Sequence, residues 1–160
     1  MWTAISQIVA CITSVIFTTL HKVPPKIIDY GQNFLPLLPS ECAHITCAGM
    51  VFAAALWGKD QYFYFQHVYA PAMFIKATLL PLTILPDSNP ECAVWHPLKC
   101  LTRNDMLPSG HMLAASAASL CFDSPLALVG AGMCGVMLVS SKMHFSVDVI
   151  LSAWLIRLLY

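Results

Sequence analysis

The chain has 160 residues, of which 58% are hydrophobic and only 10% are charged, and its mean hydropathy is +0.71. A soluble domain usually carries about 25% charged residues, and a disordered chain combines low hydrophobicity with high net charge, so neither class fits. Eight basic and eight acidic residues give a formal net charge of zero, which leaves no basic excess for binding nucleic acid. The composition therefore predicts a membrane protein with several spans.

The few charges divide the chain into stretches long enough to cross a bilayer, which requires about 17–25 mostly apolar residues. We expect an all-α fold, a polytopic bundle of six transmembrane helices, in one integral-membrane domain over residues 1–160. The first stretch is predicted as a span and not as a signal peptide, because no basic residue precedes it and no cleavage site is obvious. The predicted spans are 2–20, 42–58, 62–86, 106–122, 124–141 and 143–160.

The longer connections between these spans are rich in proline. Residues 21–41 are predicted as a loop or a re-entrant stretch, and residues 87–103 as the largest loop. Six spans place both termini on one side of the membrane and the loops after spans one, three and five on the other. Small residues spaced by four, which allow membrane helices to approach closely, are predicted to pack at Ala114 with Ala118 and Ala131 with Gly135.

Three ionisable residues enter the predicted spans from the same side, and such residues are functional candidates because their burial in lipid is costly. His144 and Asp148 are four apart and so share a helix face. Asp148 can accept a hydrogen bond from one imidazole nitrogen and leave the other free to attack phosphorus. His111, at the start of the fourth span, could then protonate the leaving oxygen. The alternative is a structural histidine–aspartate pair.

Other residues near this side are candidates for binding phosphate. Ser109 and Gly110 begin the fourth span, where exposed N–H groups and the helix dipole favour an anion. Lys76 lies inside the third span, roughly 15 Å from its end at 1.5 Å per residue; it either pairs with phosphate or a carboxylate, or extends its ammonium to the interface. Asp105 either orients His111 or is a simple acid at a helix start.

The remaining histidines and the cysteines give weaker signals. No Cys-x-x-Cys spacing occurs, so no metal site is predicted. Cys92 and Cys100 share the largest loop and either form a disulfide, if that loop is extracytoplasmic, or remain free thiols. Four histidines lack a partner at motif spacing and are predicted to be interfacial or structural: His21, His44, His67 and His96.

Two motifs carry a family resemblance. Pro-Ser-Gly-His at 108–111 and His-Phe-Ser-Val-Asp-Val at 144–149 resemble the histidine motifs of the type 2 phosphatidic acid phosphatase superfamily. The longer segment 103–111 is similar to the CGD-x-x-x-SGH motif of its sphingomyelin synthase branch, although Arg-Asn replaces Cys-Gly. Lys76 occupies the position of an arginine in that branch. The phosphatase motif K-x6-RP is absent, and Leu138 stands where the phosphatases have an arginine.

The resemblance implies an enzyme that moves phosphocholine or phosphoethanolamine from a glycerophospholipid to ceramide or a related lipid alcohol. His144, oriented by Asp148, would form a phosphohistidine intermediate while His111 serves as acid and base, and diacylglycerol would be released. No cofactor or metal is implied. The alternatives are a lipid phosphate phosphatase with the same three residues, a haem protein with His111 and His144 as axial ligands, and an inert helical scaffold.

The resemblance also implies a location. Members of this branch lie in the Golgi or plasma membrane, with the active site on the lumenal or exoplasmic face. The positive-inside rule gives the opposite orientation, since most basic residues lie in the loops on the active side. We follow the resemblance as the expectation. The sequence leaves formation of a homo-oligomer open.

Overall fold

The computed structural model describes residues 4–6, 8–10, 12–13, 16, 28–79, 107–122 and 124–160. The described residues up to 16 are helical, and those from 28 onward form six further helices, with no strand in any of these ranges. The all-α prediction is therefore confirmed. The six helices are α1 Tyr30–Phe34, α2 Ser40–Trp57, α3 Lys59–Leu79, α4 Gly110–Leu120, α5 Pro125–Ser140 and α6 Ser146–Leu159.

Helices α2 to α6 lie within or close to the segments predicted as the second to sixth spans. Local signals fix several of their starts: the Ser124 hydroxyl accepts the Leu126 N–H, and Pro125 occupies the first turn of α5. Judged by length and mean hydropathy, Ser40–Trp57 is the one helix in the described ranges that is long and apolar enough to cross a membrane. Helix α5 is apolar but has 16 residues.

Helix α4 lies at the centre of the bundle and contacts α2, α3, α5 and α6. Every residue from Met112 to Ser119 is buried, and most are alanine or serine, so the neighbouring helices come close. At Gly135 on α5, an added Cβ would lie 2.9 Å from Cγ1 of Val149. The small residues predicted to pack are all buried in these contacts: Ala114, Ala118, Ala131 and Gly135.

The segment predicted as the first loop contains the short helix α1. This helix contacts α5 and α6, and the residues after it continue along the same surface, where the Leu38 N–H donates to the Ser140 carbonyl at 3.2 Å. Residues 29–38 thus lie against the turn between α5 and α6. That turn carries the second histidine motif.

Candidate active site

The first histidine motif forms the capped start of α4. The Ser109 hydroxyl accepts the Met112 N–H at 3.3 Å, which satisfies one of the donors left unpaired at a helix start. The backbone N–H of Ser109 donates to the Ser152 hydroxyl at 2.7 Å, and that hydroxyl donates to the Asp148 carbonyl. Ser109 is fully buried, and its hydroxyl is already paired with the Met112 N–H. Gly110 and His111 are the partly exposed residues of the motif.

Lys76 lies against this motif. Its ammonium donates to the Pro108 carbonyl at 2.6 Å, and a Cβ placed on Gly110 would be 3.8 Å from Nζ. The side chain is 2% exposed, so its aliphatic part is packed between α3 and α4. The positive charge is therefore level with the start of α4, closer to the histidine motif than the distance inferred from sequence suggested. A phosphate near Gly110 would meet both this ammonium and the N-terminal end of α4.

The second histidine motif follows a tight end to α5. Lys142 adopts φ 54°, and its N–H donates to the Val139 carbonyl at 3.0 Å while the Met143 N–H donates to the Leu138 carbonyl at 3.1 Å. These two bonds are the pattern of a Schellman motif, in which a left-handed residue ends a helix. The His144 N–H also donates to the Leu138 carbonyl. The position of His144 is thus set by backbone bonds to the last turn of α5.

His144 and Asp148 are adjacent and buried, but they are not hydrogen-bonded as the sequence predicted. His144 Nδ1 lies 3.6 Å from Asp148 Oδ2, beyond hydrogen-bond distance, because Oδ2 accepts the Phe145 N–H at 3.0 Å at the start of α6. Within the described ranges, His144 Nδ1 and Asp148 Oδ1 have no hydrogen-bond partner. Buried polar atoms without a partner are rare in native structures, and a catalytic role is one reason for them; Ser140 Oγ, at the end of α5, is a third such atom in these ranges.

The two motifs meet through their histidines. The ring centroids of His111 and His144 are 6.3 Å apart, with the ring planes at 61°. Reacting atoms in a near-attack geometry are about 3–3.5 Å apart, which is about half of this separation. One phosphoryl group between the two rings would therefore be within reach of both. The expected site residues that the structure describes are brought together: Lys76, Ser109, Gly110, His111, His144 and Asp148.

His44 belongs to this site as well, although the sequence indicated only an interfacial or structural role. Its Nδ1 lies 2.9 Å from His111 Nε2, and the ring centroids are 4.8 Å apart. The two residues are 67 positions apart on different helices, so no local spacing connects them. The signal that could have indicated this contact is position alone: His44 is in the first turns of a predicted span that begins on the active side.

Asp29 and Gln32 are a second addition that sequence reasoning missed. Asp29 Oδ1 accepts the Gly31 N–H and the Ser146 hydroxyl, each at 2.8 Å, and Oδ2 accepts the Ser146 N–H. Gln32 Nε2 donates to the His144 carbonyl at 3.0 Å. Partial burial opposes ionisation of Asp29, but the bonds from Ser146, Gln32 and Gly31 outweigh it and lower the Asp29 pKa below 3.8.

Several expectations lie outside the described residues, namely those for His21, Cys92, His96, Cys100 and Asp105. In the described ranges, no group of three or more His, Cys, Asp or Glu residues is arranged to hold a metal ion. Comparison of the chain with protein-family models, curated proteins and solved structures gives no match. The function is therefore inferred from the residues of the site and their geometry.

Proposed function

We propose that this chain is a lipid headgroup transferase of the sphingomyelin synthase type. The observation that carries the proposal is the 6.3 Å separation of the His111 and His144 rings, which come from different helices. Each imidazole has a polar group beside one ring nitrogen, His44 for His111 and Asp148 for His144. The ammonium of Lys76 lies beside the start of α4, where a phosphate would bind.

The reaction is a double displacement. Nδ1 of His144 faces Asp148, so Nε2 is assigned as the nucleophile that attacks the phosphorus of the donor phospholipid. The bond from phosphorus to the diacylglycerol oxygen breaks, and that oxygen takes a proton from His111. In the second step His111 removes the proton from the acceptor hydroxyl, whose oxygen attacks phosphorus, and the phosphorus–nitrogen bond returns its electrons to His144.

The roles of Asp148 and Lys76 follow from charge. Phosphorylation makes the His144 ring cationic, and the Asp148 carboxylate, at 3.6 Å, favours that state. Lys76 offsets the negative charge that gathers on the phosphoryl oxygens as the bonds exchange. Both groups are almost fully buried, where electrostatic interactions are stronger than in water.

The distribution of side-chain sizes on α2 supports the assignment of this helix as a membrane span, one of the six that the proposal requires. Only 17% of the α2 window is buried, whereas the core helix of a soluble protein would be mostly buried. Its buried residues are the small Ala43, Cys47 and Ala54, while large apolar side chains point outward and are more than half exposed, namely Ile45, Phe52, Leu56 and Trp57. Small residues at helix contacts and large ones outside are typical of membrane helices. The resemblance supports a Golgi or plasma membrane location with the site on the exoplasmic face.

Transfer is favoured over hydrolysis by Leu138. This residue occupies the position where the related phosphatases have an arginine, and its side chain is fully buried in the core, so the position supplies no cation to a phosphate monoester. Phosphatase activity with the same three residues remains the second candidate. Lipid substrates in a site that excludes bulk water would direct the phosphohistidine to an alcohol acceptor.

The test is an assay of purified protein in liposomes that contain headgroup-labelled phosphatidylcholine or phosphatidylethanolamine, with and without ceramide. We expect the label to appear in a ceramide-based phospholipid, with diacylglycerol as co-product. The variant His144→Ala should abolish this, whereas His67→Ala, an exposed histidine on α3 outside the site, should retain it. Release of free headgroup or phosphate would instead support the phosphatase, and conversion that survives His144→Ala would reject both enzymes.

A further inference from the structure

A cavity lies between helices α4, α5 and α6, on the side of α4 away from its capped start. Its volume is about 220 Å³. An apolar cavity of roughly 150 Å³ in an engineered protein binds benzene, so this one is large enough for a segment of hydrocarbon chain. Along α4 the lining runs from Met112 to Leu120, a length of about 12 Å at 1.5 Å per residue. The cavity is thus elongated along the bundle.

Close packing of the three helices separates this cavity from the candidate active site. An added Cβ at Gly135 would lie 2.9 Å from Val149 Cγ1 and 3.3 Å from Met112 Sδ. The residues of α5 that line the cavity all precede Gly135, and those of α6 all follow Val149. The tight contact therefore lies between the cavity and the histidine motifs. A molecule in the cavity would occupy a different space from a phosphate at His111 and His144.

The lining is mostly apolar, and the cavity opens to the outside between α5 and α6. Ser119 donates its hydroxyl to the Ser116 carbonyl at 2.7 Å, so this hydroxyl is already paired. Leu128, Gly132 and Arg157 line the cavity and are exposed. In a membrane bundle such an opening faces lipid. A hydrocarbon chain can then enter from the bilayer without passing through water.

Arg157 is the one charged residue among the described residues that line the cavity. It lies in the last turn of α6, and no ion pair joins it to another described side chain. Aromatic pairs lie at the same end of the bundle: the ring centroids of Tyr64 and Tyr160 are 5.9 Å apart, and those of Trp57 and Phe122 are 5.3 Å apart. Tyrosine and tryptophan are enriched where spans leave the hydrocarbon. The long Arg157 side chain can therefore place its guanidinium at the level of the lipid headgroups.

We propose that this cavity binds one acyl chain of an anionic glycerophospholipid whose headgroup pairs with Arg157. The site depends on the membrane arrangement and orientation that belong to the proposed function. Because α4 and α6 begin on the active side, the end of the cavity at Leu120 and Arg157 lies toward the opposite leaflet. With an exoplasmic active site that leaflet is cytoplasmic, where phosphatidylserine supplies negative headgroups.

The choice of an anionic lipid follows from the charge at this end of the cavity. The planar guanidinium of arginine binds phosphate and carboxylate groups through two parallel hydrogen bonds. Phosphatidylserine offers both groups and carries a net negative charge. Phosphatidylcholine has its own cation beside the phosphate, which offsets the attraction to Arg157. The apolar lining favours the acyl chain of either lipid equally, so the headgroup decides the preference.

The first test measures binding by native mass spectrometry of the purified protein in detergent, titrated with phosphatidylserine or phosphatidylcholine and without ceramide. The wild type should bind one phosphatidylserine in preference to phosphatidylcholine. Arg157→Gln should weaken phosphatidylserine binding about fivefold and remove the preference. The matched control is Lys59→Gln, which removes an exposed positive charge at the start of α3, outside the cavity, and should bind as the wild type does.

A second variant tests the cavity itself. An added Cβ at Gly132 would meet no atom within 4 Å, so the leucine of Gly132→Leu can occupy the cavity without forcing the helices apart. It should weaken phosphatidylserine binding about tenfold or more, because at least two CH₂ groups of the lipid chain lose their contacts. The matched control is Gly49→Leu on α2, where a Cβ also meets no atom within 4 Å. Phosphatidylserine should raise the unfolding temperature of the wild type and Gly49→Leu but not of Gly132→Leu.

The outcomes separate this lipid site from the proposed transferase. If the wild type transfers no headgroup but binds phosphatidylserine with this pattern of variants, the transferase fails and the lipid site stands. Equal binding by the wild type, Arg157→Gln and Gly132→Leu would overturn the lipid site even if transfer is observed. Binding that is lost in Lys76→Met but kept in Gly132→Leu would also overturn it, because the lipid would then be held at the candidate active site.

Discussion

Replacing Gly31 with alanine tests how α1 holds the second histidine motif. An added Cβ would lie 2.0 Å from Ser146 Oγ and 3.2 Å from Ser146 Cβ, whereas carbon atoms pack best at about 3.5–4.0 Å. Either the Ser146 hydroxyl rotates away and gives up its 2.8 Å bond to Asp29, or α1 moves outward. In both cases contacts to the start of α6 are lost. Gln32, which donates to the His144 carbonyl, moves with α1 in the second case.

The magnitude can be estimated from these contacts. Overpacking of this kind costs about 1–3 kcal/mol, and the better helix propensity of alanine offsets up to about 1 kcal/mol of it. We expect Gly31→Ala to lower the free energy of unfolding by about 1–2 kcal/mol in the wild-type background. In a Ser146→Ala background the colliding oxygen is absent, so the same substitution should cost about 1 kcal/mol less. The remaining cost comes from the Cβ at position 146 at 3.2 Å and from Asp29 Oδ1 at 3.1 Å.

The assay is a double-mutant cycle on Gly31 and Ser146, measured by thermal unfolding in nanodiscs with tryptophan fluorescence and by ceramide transfer. A coupling energy of about 1 kcal/mol or more between the two substitutions is expected. Transfer activity should fall in Gly31→Ala and be partly restored in the double variant. If Gly31→Ala destabilises equally in both backgrounds, α1 does not pack on Ser146 as described.

Three further substitutions give distinct outcomes. Asp29→Asn should lower the unfolding temperature at pH 7, and its difference from the wild type should shrink below pH 3.8. The reason is that the lowered pKa of Asp29 contributes stability that is complete above that pH and is lost as pH falls through the folded-state pKa. A difference in unfolding temperature that does not depend on pH would contradict this. Lys142→Gly, at φ 54°, should stabilise by about 1 kcal/mol, or roughly 2–4 °C in unfolding temperature, and a lower temperature would count against the described turn. Lys76→Met should reduce kcat/KM for transfer about 10- to 100-fold, or about 1.4–2.8 kcal/mol, while Lys76→Arg keeps the charge and most of the activity; equal activity of both variants would exclude a charge contact.

Much of the helical layout could be predicted from the sequence, because charges and prolines mark the ends of apolar segments. The i,i+4 spacing also predicted that His144 and Asp148 are adjacent. Their separation of 3.6 Å could not be predicted, since it depends on the Phe145 N–H that engages the Asp148 carboxylate. Local periodicity places side chains on a helix face, but it does not show which backbone donors compete for them.

The sequence did not predict which residues contact the two histidine motifs. His44 reaches His111 across 67 positions, and Asp29 reaches Ser146 across 117, so both contacts depend on how separate segments pack. Asp29 also lies in a proline-rich connection, where no periodic pattern indicates a helix or a buried face. The short helix α1 begins directly after Asp29, whose carboxylate caps it. Asp29 thus both caps α1 and binds Ser146, and the sequence alone does not indicate the second role.

In the proposed reaction, His144 carries the headgroup phosphate between two lipids. Exchange of labelled diacylglycerol into unlabelled phospholipid, measured with the purified protein and no ceramide, tests it most directly, because only a covalent headgroup–enzyme intermediate allows this half-reaction to reverse without an acceptor. We predict that the label enters the donor phospholipid with the wild type and His67→Ala but not with His144→Ala. Ceramide transfer without any diacylglycerol exchange would show that no covalent intermediate forms on His144.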